Sequence, residues 1–233
     1  FLKSFFLFRN QILCFSDSHE LKIIEGKSQN KLFFRLFSKI GVDKFLYFER
    51  PVNPKYFGQA SSDPKSVSTS LLDLIALVGS YFVGAAKIEN EDTLNMAEEL
   101  IGFKLDYNRY LRQLKSYRML ACILFKVYKP KFVFISEYYN LFYMAICYEA
   151  ARVGIPTIEF QHGIINGEHP AYNFYNSKIV SNYLPKYFAS FGQKFIDSLG
   201  SRSFIPVENM IVVGHSYLTF IKNDKNKIDF SNS

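Results

Sequence analysis

Residues 129–160 read KPKFVFISEYYNLFYMAICYEAARVGIPTIEF, and this stretch decides the fold class. Lys129-Pro130 breaks any preceding helix, because proline lacks an amide proton and its ring clashes with the turn before it. Residues 132–135 (FVFI) form a short apolar strand, 136–140 a polar turn, and 141–152 a helix with Gly154 just past its end, where glycine is favoured. Residues 156–160 supply the next strand. A strand, a helix and a strand within about 30 residues form the unit of a parallel sheet with right-handed crossovers.

The same alternation extends outward. Upstream, residues 11–15 (QILCF) read as a buried strand entering the polar cluster Ser16-Asp17-Ser18-His19. A helix is expected over 30–40 up to Gly41, and a strand over 45–48 that ends at Glu49-Arg50-Pro51. Residues 51–70 read as loop, helical patterning runs from Leu71 to near Ala86, and apolar spacings of three and four over 92–128 suit one or two long amphipathic helices. Arg109, Arg112, Lys115 and Arg118 fall on their other faces. Downstream, 186–190 reads as a strand, 193–199 as a helix and 210–213 as a strand ending in Gly214. This order means α/β, and ligands of such sheets bind at the carboxyl ends of the strands. The loops expected to carry function are 16–20, 136–140, 161–172 and 214–218.

The chain has 233 residues, 28 Lys and Arg against 21 Asp and Glu, and a formal charge of +7. With 48% hydrophobic residues it lies in the ordinary globular range, which excludes disordered and collagen-like classes. The first residue is Phe and the opening FLKSFFLFRN is already amphipathic, so the chain reads as a fragment whose first eight residues end a helix. Cys14, Cys122 and Cys147 sit in apolar runs without metal-ligand spacing, which points to reduced thiols in a cytosolic protein rather than a disulfide or zinc framework. Residues 71–86 carry Asp73 and fall short of the roughly 20 residues that a membrane span needs. The phosphate-loop, dinucleotide, zinc-protease and serine-elbow motifs are missing from the sequence, which removes the main support for ATPase, oxidoreductase and hydrolase readings.

The richest segment is 159–172, EFQHGIINGEHPAY. It leaves a buried strand directly, so Gln161 and His162 emerge at the carboxyl edge, and Gly163 allows a sharp turn or close approach of a ligand. An imidazole there can bind a phosphate oxygen or hydroxyl, or move a proton near neutral pH; equally, it can satisfy backbone groups in a tight turn. His169 lies in a more exposed-looking part of the loop. In the loop 136–140, Glu137 can accept a hydroxyl proton or interact with a helix dipole, while Ser136 or Asn140 caps the helix. Asp17 and His19 line the presumed cleft after the first strand, with Glu20 as a weaker alternative. Turn formation alone explains Ser16, Asp17 and Ser18.

The order of KPKFVFISEYYNLFYMAICYEAARVGIPTIEFQHGIINGEHPAYNF, LPKYFASFGQKF and VENMIVVGHSYL resembles bacterial glycosyltransferases of capsule and lipopolysaccharide biosynthesis. The resemblance is strongest over 129–218 and weak over 1–60. It implies a GT-B architecture of two Rossmann-like domains. Residues 1–206 would form the N-terminal acceptor-side domain, and 207–233 the interdomain crossing and truncated start of the donor domain. The tail from Lys222 on would be a severed linker. It further implies transfer of a sugar from a nucleotide-sugar donor to a glycan or lipid-linked acceptor, without an obligatory metal or other cofactor and without a nucleic-acid partner. His162 and Glu137 would be catalytic, and Asp17, His19, Tyr138, Gln161, Gly163, His169 and Tyr172 would bind substrate, with Tyr138, Tyr139 and Tyr172 on loops where sugars stack. The implied location is cytoplasmic or peripheral on the inner membrane. His215-Ser216 departs from the small or Asn-Pro-like turn common in relatives. Two other readings stand beside it: a non-hydrolysing nucleotide-sugar epimerase with the same two-domain layout, and a basic non-catalytic adaptor that docks on membrane or nucleic acid through Arg109, Arg112, Lys115 and Arg118.

Overall fold

Ile12–Asp17 (β1) is buried along its whole length, as a strand covered on both faces by helices must be. In the computed structural model, residues 12–52, 66–84, 91–104, 106–167, 169–173, 182–200 and 203–223 are described. The readings made on residues 1–11, on 53–65 within the expected loop, and on the tail from 224 lie outside them. Leu21–Ile24 (β2) and Lys27–Asn30 (β3) pair as a separate antiparallel hairpin. The remaining strands are Phe45–Arg50 (β4), Ser66–Ser68 (β5), Phe132–Ile135 (β6), Thr157–Phe160 (β7), Tyr187–Ser190 (β8) and Met210–Val212 (β9). With β1 they form one parallel sheet of seven strands in the order β5-β4-β1-β6-β7-β8-β9. With its flanking helices this is a Rossmann-like α/β sheet.

The helices are Phe34–Ile40 (α1), Ser70–Ser80 (α2), Glu91–Ile101 (α3), Tyr107–Tyr128 (α4), Leu141–Arg152 (α5), Gln193–Leu199 (α6) and Ser216–Asn223 (α7). Alternation along β1 feeds two cores. Leu13 and Phe15 pack with Leu124, Phe142 and Ile146 from α4 and α5, while Ile12 and Cys14 pack with Phe33 and Phe37 at α1. The central strand–helix–strand unit lies where its sequence places it, with Asn140 capping α5 through the Tyr143 amide at 2.9 Å and Gly154 at φ 75° beyond its end.

Some local readings are corrected. The β2–β3 hairpin reaches into the start of the segment expected to be helical, so α1 begins only at Phe34. Asn30 imposes that boundary: its Oδ1 accepts from the Leu32 and Phe33 amides, and its amide donates to Ser16 Oγ and Tyr47 Oη. β5 lies within the expected 51–70 loop, and α2 stops at Ser80. The 92–128 region is two helices, one of the two outcomes its spacing allows, with Asp106 capping the second through the Arg109 amide. Arg118 is not a solvated face residue: it pairs with Glu149 at 2.9 Å and lies 3.7 Å over the Tyr148 ring. Cys14 and Cys147 are buried free thiols, and Cys122 is a partly exposed one.

Candidate active site at the sheet's switch point

Strand order reverses at β1, which lies between β4 and β6, so the chain leaves these strands in opposite directions and opens a crevice at their carboxyl ends. The side chains that end β1, β4 and β6 meet there. Asp17 is buried at the end of β1, and in parallel register it stands beside Arg50 of β4. Arg50 grips both carboxylate oxygens, with Nε at 2.9 Å from Oδ1 and Nη2 on Oδ2, and Tyr143 Oη donates to Oδ1 at 3.1 Å. Burial raises the Asp17 pKa against the opposing pull of Arg50.

One turn further, His19 Nε2 lies 2.9 Å from Glu20 Oε1 and 3.1 Å from Glu137 Oε1. Lys31, following the hairpin, reaches Glu20 Oε2 at 2.9 Å. Hydrogen bonds to Glu137 and Glu20 outweigh burial and lift the His19 pKa to about 10, so its imidazole is protonated at neutral pH. Burial works to raise both glutamates, but His19 and the other neighbouring cations hold them below the ordinary carboxylate range. Three carboxylates, Asp17, Glu20 and Glu137, are thus faced by three cations, His19, Lys31 and Arg50. His19 is the half-exposed member, with 41% of its side chain accessible.

Asp17, His19 and Glu137 each offer a ligand atom within 4.8 Å of one another. A metal there would have to displace Arg50 from Asp17 and the shared proton from His19, in a cluster whose charge is already balanced. The donor set suits a proton better than a cation.

His162 sits beside this cluster. Its Nε2 lies 2.9 Å from Tyr139 Oη, and burial lowers its pKa, so it is neutral where His19 is charged. The Tyr139 ring is 41% exposed and stands 6.3 Å from the His169 ring. His169 itself packs 5.0 Å from Tyr172 and accepts the Ala171 amide on Nδ1.

The structure therefore brings together four of the expected residues: Asp17, His19, Glu137 and His162. It corrects others. Tyr138 and Tyr172 are buried, with 5% and 1% exposure, and their hydroxyls are committed to Ala171 O and Glu159 Oε1, so neither ring can stack on a sugar. Gln161 is fully buried and braces the loop: its amide donates to Gly163 O at 2.8 Å, and its oxygen accepts from Ser190 Oγ and the Phe191 amide. Gly163 has no left-handed φ, and a Cβ there would meet nothing within 4 Å. Sequence reading missed Arg50, Lys31, Tyr143 and Glu159 as site components. Arg50 had a signal, a charge at the carboxyl end of a strand, but only the register that sets it beside Asp17 gives it meaning. Glu159, fully buried on β7, accepts from Tyr172 Oη at 2.8 Å and the Tyr138 amide at 3.2 Å, which joins the loop after β6 to the loop after β7.

No family model and no curated protein sequence matches the chain. Solved structures do. UDP-GlcNAc 2-epimerase from Neisseria meningitidis, bound to UDP-GlcNAc, is 11% identical with a TM-score of 0.46, over 94% of this chain and 51% of that one. The Methanocaldococcus jannaschii UDP-GlcNAc 2-epimerase is 11% identical with a TM-score of 0.47, over 92% and 50%. The Rickettsia bellii enzyme is 9% identical with a TM-score of 0.43, over 93% and 48%. The chain spans about half the length of these structures. The glycosyltransferase expectation is corrected here: the structures matched are UDP-GlcNAc 2-epimerases. Among the described residues no helix is long and apolar enough to cross a membrane.

Proposed function

We propose that this chain is the acid–base half of a nucleotide-sugar epimerase, with residues 1–206 as its first domain and 207–233 as the start of the crossing to a second. The observation that supports the reading is the His19 cluster: an imidazolium held between Glu20 and Glu137 at the switch point, next to a neutral His162–Tyr139 pair. Inverting a carbon centre through its hydrogen requires a base to take the proton from one face and an acid to return one to the other. Glu137 serves as the base and keeps the proton as a neutral acid beside the His19 imidazolium, while the electron pair of the broken C–H bond forms a C=C bond as the neighbouring C–O bond to the nucleotide breaks. On re-addition of the nucleotide, Tyr139, held by His162 on the adjoining wall, returns a proton to the other face. Asp17 and Arg50 position rather than react, since each satisfies the other. The nucleotide-sugar class follows the motif order around Gln161-His162-Gly163, and the UDP-GlcNAc named for the solved structures supplies the first compound to test.

The test uses the full-length protein with UDP-GlcNAc in D2O and no acceptor. Deuterium on a sugar carbon together with a new epimer, both read by NMR, is the expected result. Glu137→Gln and His19→Gln should lower the rate by about 10²–10⁴-fold, the usual share of a general acid or base. Donor binding without exchange or epimer would overturn the reading.

A further inference from the structure

A pocket of about 300 Å³ opens beside α1 at the carboxyl ends of β7, β8 and β9, and its lining shares no residue with the His19 cluster. Leu32, Leu36, Phe160 and Phe191 give it apolar walls, and Arg35 and Lys39 give it positive charge. Among the described residues no carboxylate lines it, and neither cation is in an ion pair. The walls are tied to one another. Ser216 Oγ donates to the Lys31 and Leu32 carbonyls at 3.2 and 3.4 Å, and Phe220 meets the Phe34 ring edge-on at 5.9 Å, so α7 is held against α1.

Folding alone does not account for Arg35. It stands in the first turn of α1, where the helix dipole disfavours a cation, and four residues from Lys39, a like-charge pair that opposes the helix. Lys39, in the last turn, has the dipole in its favour. The contact of Arg35 with the Phe34 ring, at 5.9 Å, lies at the outer limit of a cation–π interaction. His215 completes the lining: its ring lies 4.1 Å from that of Phe191, and its Nδ1 accepts the Leu218 amide at 3.2 Å, which places the ring proton on Nε2. Burial and the neighbouring Lys31 lower its pKa, so the ring is a neutral donor at pH 7.

We propose that this pocket binds a small organic phosphate ester, with the phosphoryl group on Arg35 and Lys39 and the organic body against Phe160 and Phe191. Two cations without a carboxylate match the two charges that a phosphate monoester carries near pH 7, whereas a carboxylate carries one. The volume stands at the lower end of small-molecule pockets, which favours a compact ligand over a whole sugar nucleotide. The inference does not depend on the epimerase reading, since none of these residues belongs to the His19 cluster.

Calorimetric titration of the full-length protein with phenyl phosphate, inorganic phosphate and benzoate, at about pH 7.5, tests the proposal. Phenyl phosphate should bind with a Kd below about 1 mM. It should bind at least about tenfold more tightly than inorganic phosphate, which lacks the ring, or benzoate, which lacks the second charge. Arg35→Gln should weaken it about tenfold, and the exposed Lys39→Gln by less, because solvent screens that charge. His19→Gln should leave the affinity unchanged, which separates this pocket from the cluster. Far-ultraviolet circular dichroism checks that each variant is folded, and Lys39→Gln decides should Arg35→Gln disturb α1. No binding at about 10 mM phenyl phosphate, equal affinity for either control compound, indifference to both cation variants, or a loss with His19→Gln as large as with Arg35→Gln would overturn the proposal.

Discussion

Glu159 shows how one buried side chain sets the geometry of two loops. It is fully buried, its Oε1 accepts two hydrogen bonds, and burial raises its pKa from 4.5 to about 8. The folded chain therefore holds it as a neutral acid at pH 7, whereas the unfolded chain ionises it near 4.5. Its contribution to stability is present in full below that value and is lost as pH rises toward about 8. Glu159→Gln keeps the accepting oxygen and removes the titration. Thermal unfolding of the two proteins from about pH 5 to pH 8 should show the variant gaining on the wild type by an amount on the order of 2–4 kcal/mol, since a tenfold change in proton affinity is worth about 1.4 kcal/mol. Parallel pH profiles would show that Glu159 does not carry that proton. The sequence marks this position only as a charge in an apolar strand, TIEF, because the two tyrosine-bearing loops that surround it are brought together only by the fold.

At the scale of elements, the hairpin and its anchor decide where the cluster's cations stand. Asn30 closes β3, caps the turn into α1 and bonds Ser16 and Tyr47 across the sheet, while Lys31 beside it donates its amide to Glu20 O at 2.9 Å. Asn30→Ala would leave buried polar groups unpaired, so urea unfolding should show a loss of about 2–4 kcal/mol, and the variant should lose more activity than its remaining stability explains as Lys31 and Glu20 drift apart. A variant within about 0.5 kcal/mol of wild type would mean that the hairpin is held by something else. This element is illegible in sequence for a physical reason. Its turn is Glu25-Gly26 with φ 52° and 75°, and glutamate is a poor marker of the left-handed region that asparagine or aspartate would have signalled. The legible elements, β6, α5 and α6, have their boundary signals within the segment itself: Pro130, the Asn140 cap, and the glycines at 154, 192 and 200. Asp17, His19, Glu137 and His162 can be found from sequence because they end or follow strands. Their partners Arg50 and Lys31 depend on strand order, which one sequence does not contain.

Across the whole molecule, β1 underlies both cores, since its odd residues pack toward α4 and α5 and its even residues toward α1. Neither layer can peel away without exposing the strand that supports the other, and the His19 cluster sits at the end of that strand. The cysteines test this directly. Cys14 belongs to the α1 core and Cys147 to the α4–α5 core, both with 0% exposure, whereas Cys122 is partly exposed on α4 with Arg152 at 3.5 Å. A thiol reagent at neutral pH should modify Cys122 quickly and the other two slowly, at one shared rate, because burial of both thiols makes their reaction wait for an opening of the fold. That rate should rise in step for both in urea, as a single cooperative unit requires. If Cys14 reacts well before Cys147, the α1 layer opens separately, and the hairpin that presents Lys31 and Glu20 to the site moves with it; mass spectrometry of the modified peptides over time distinguishes the two cases.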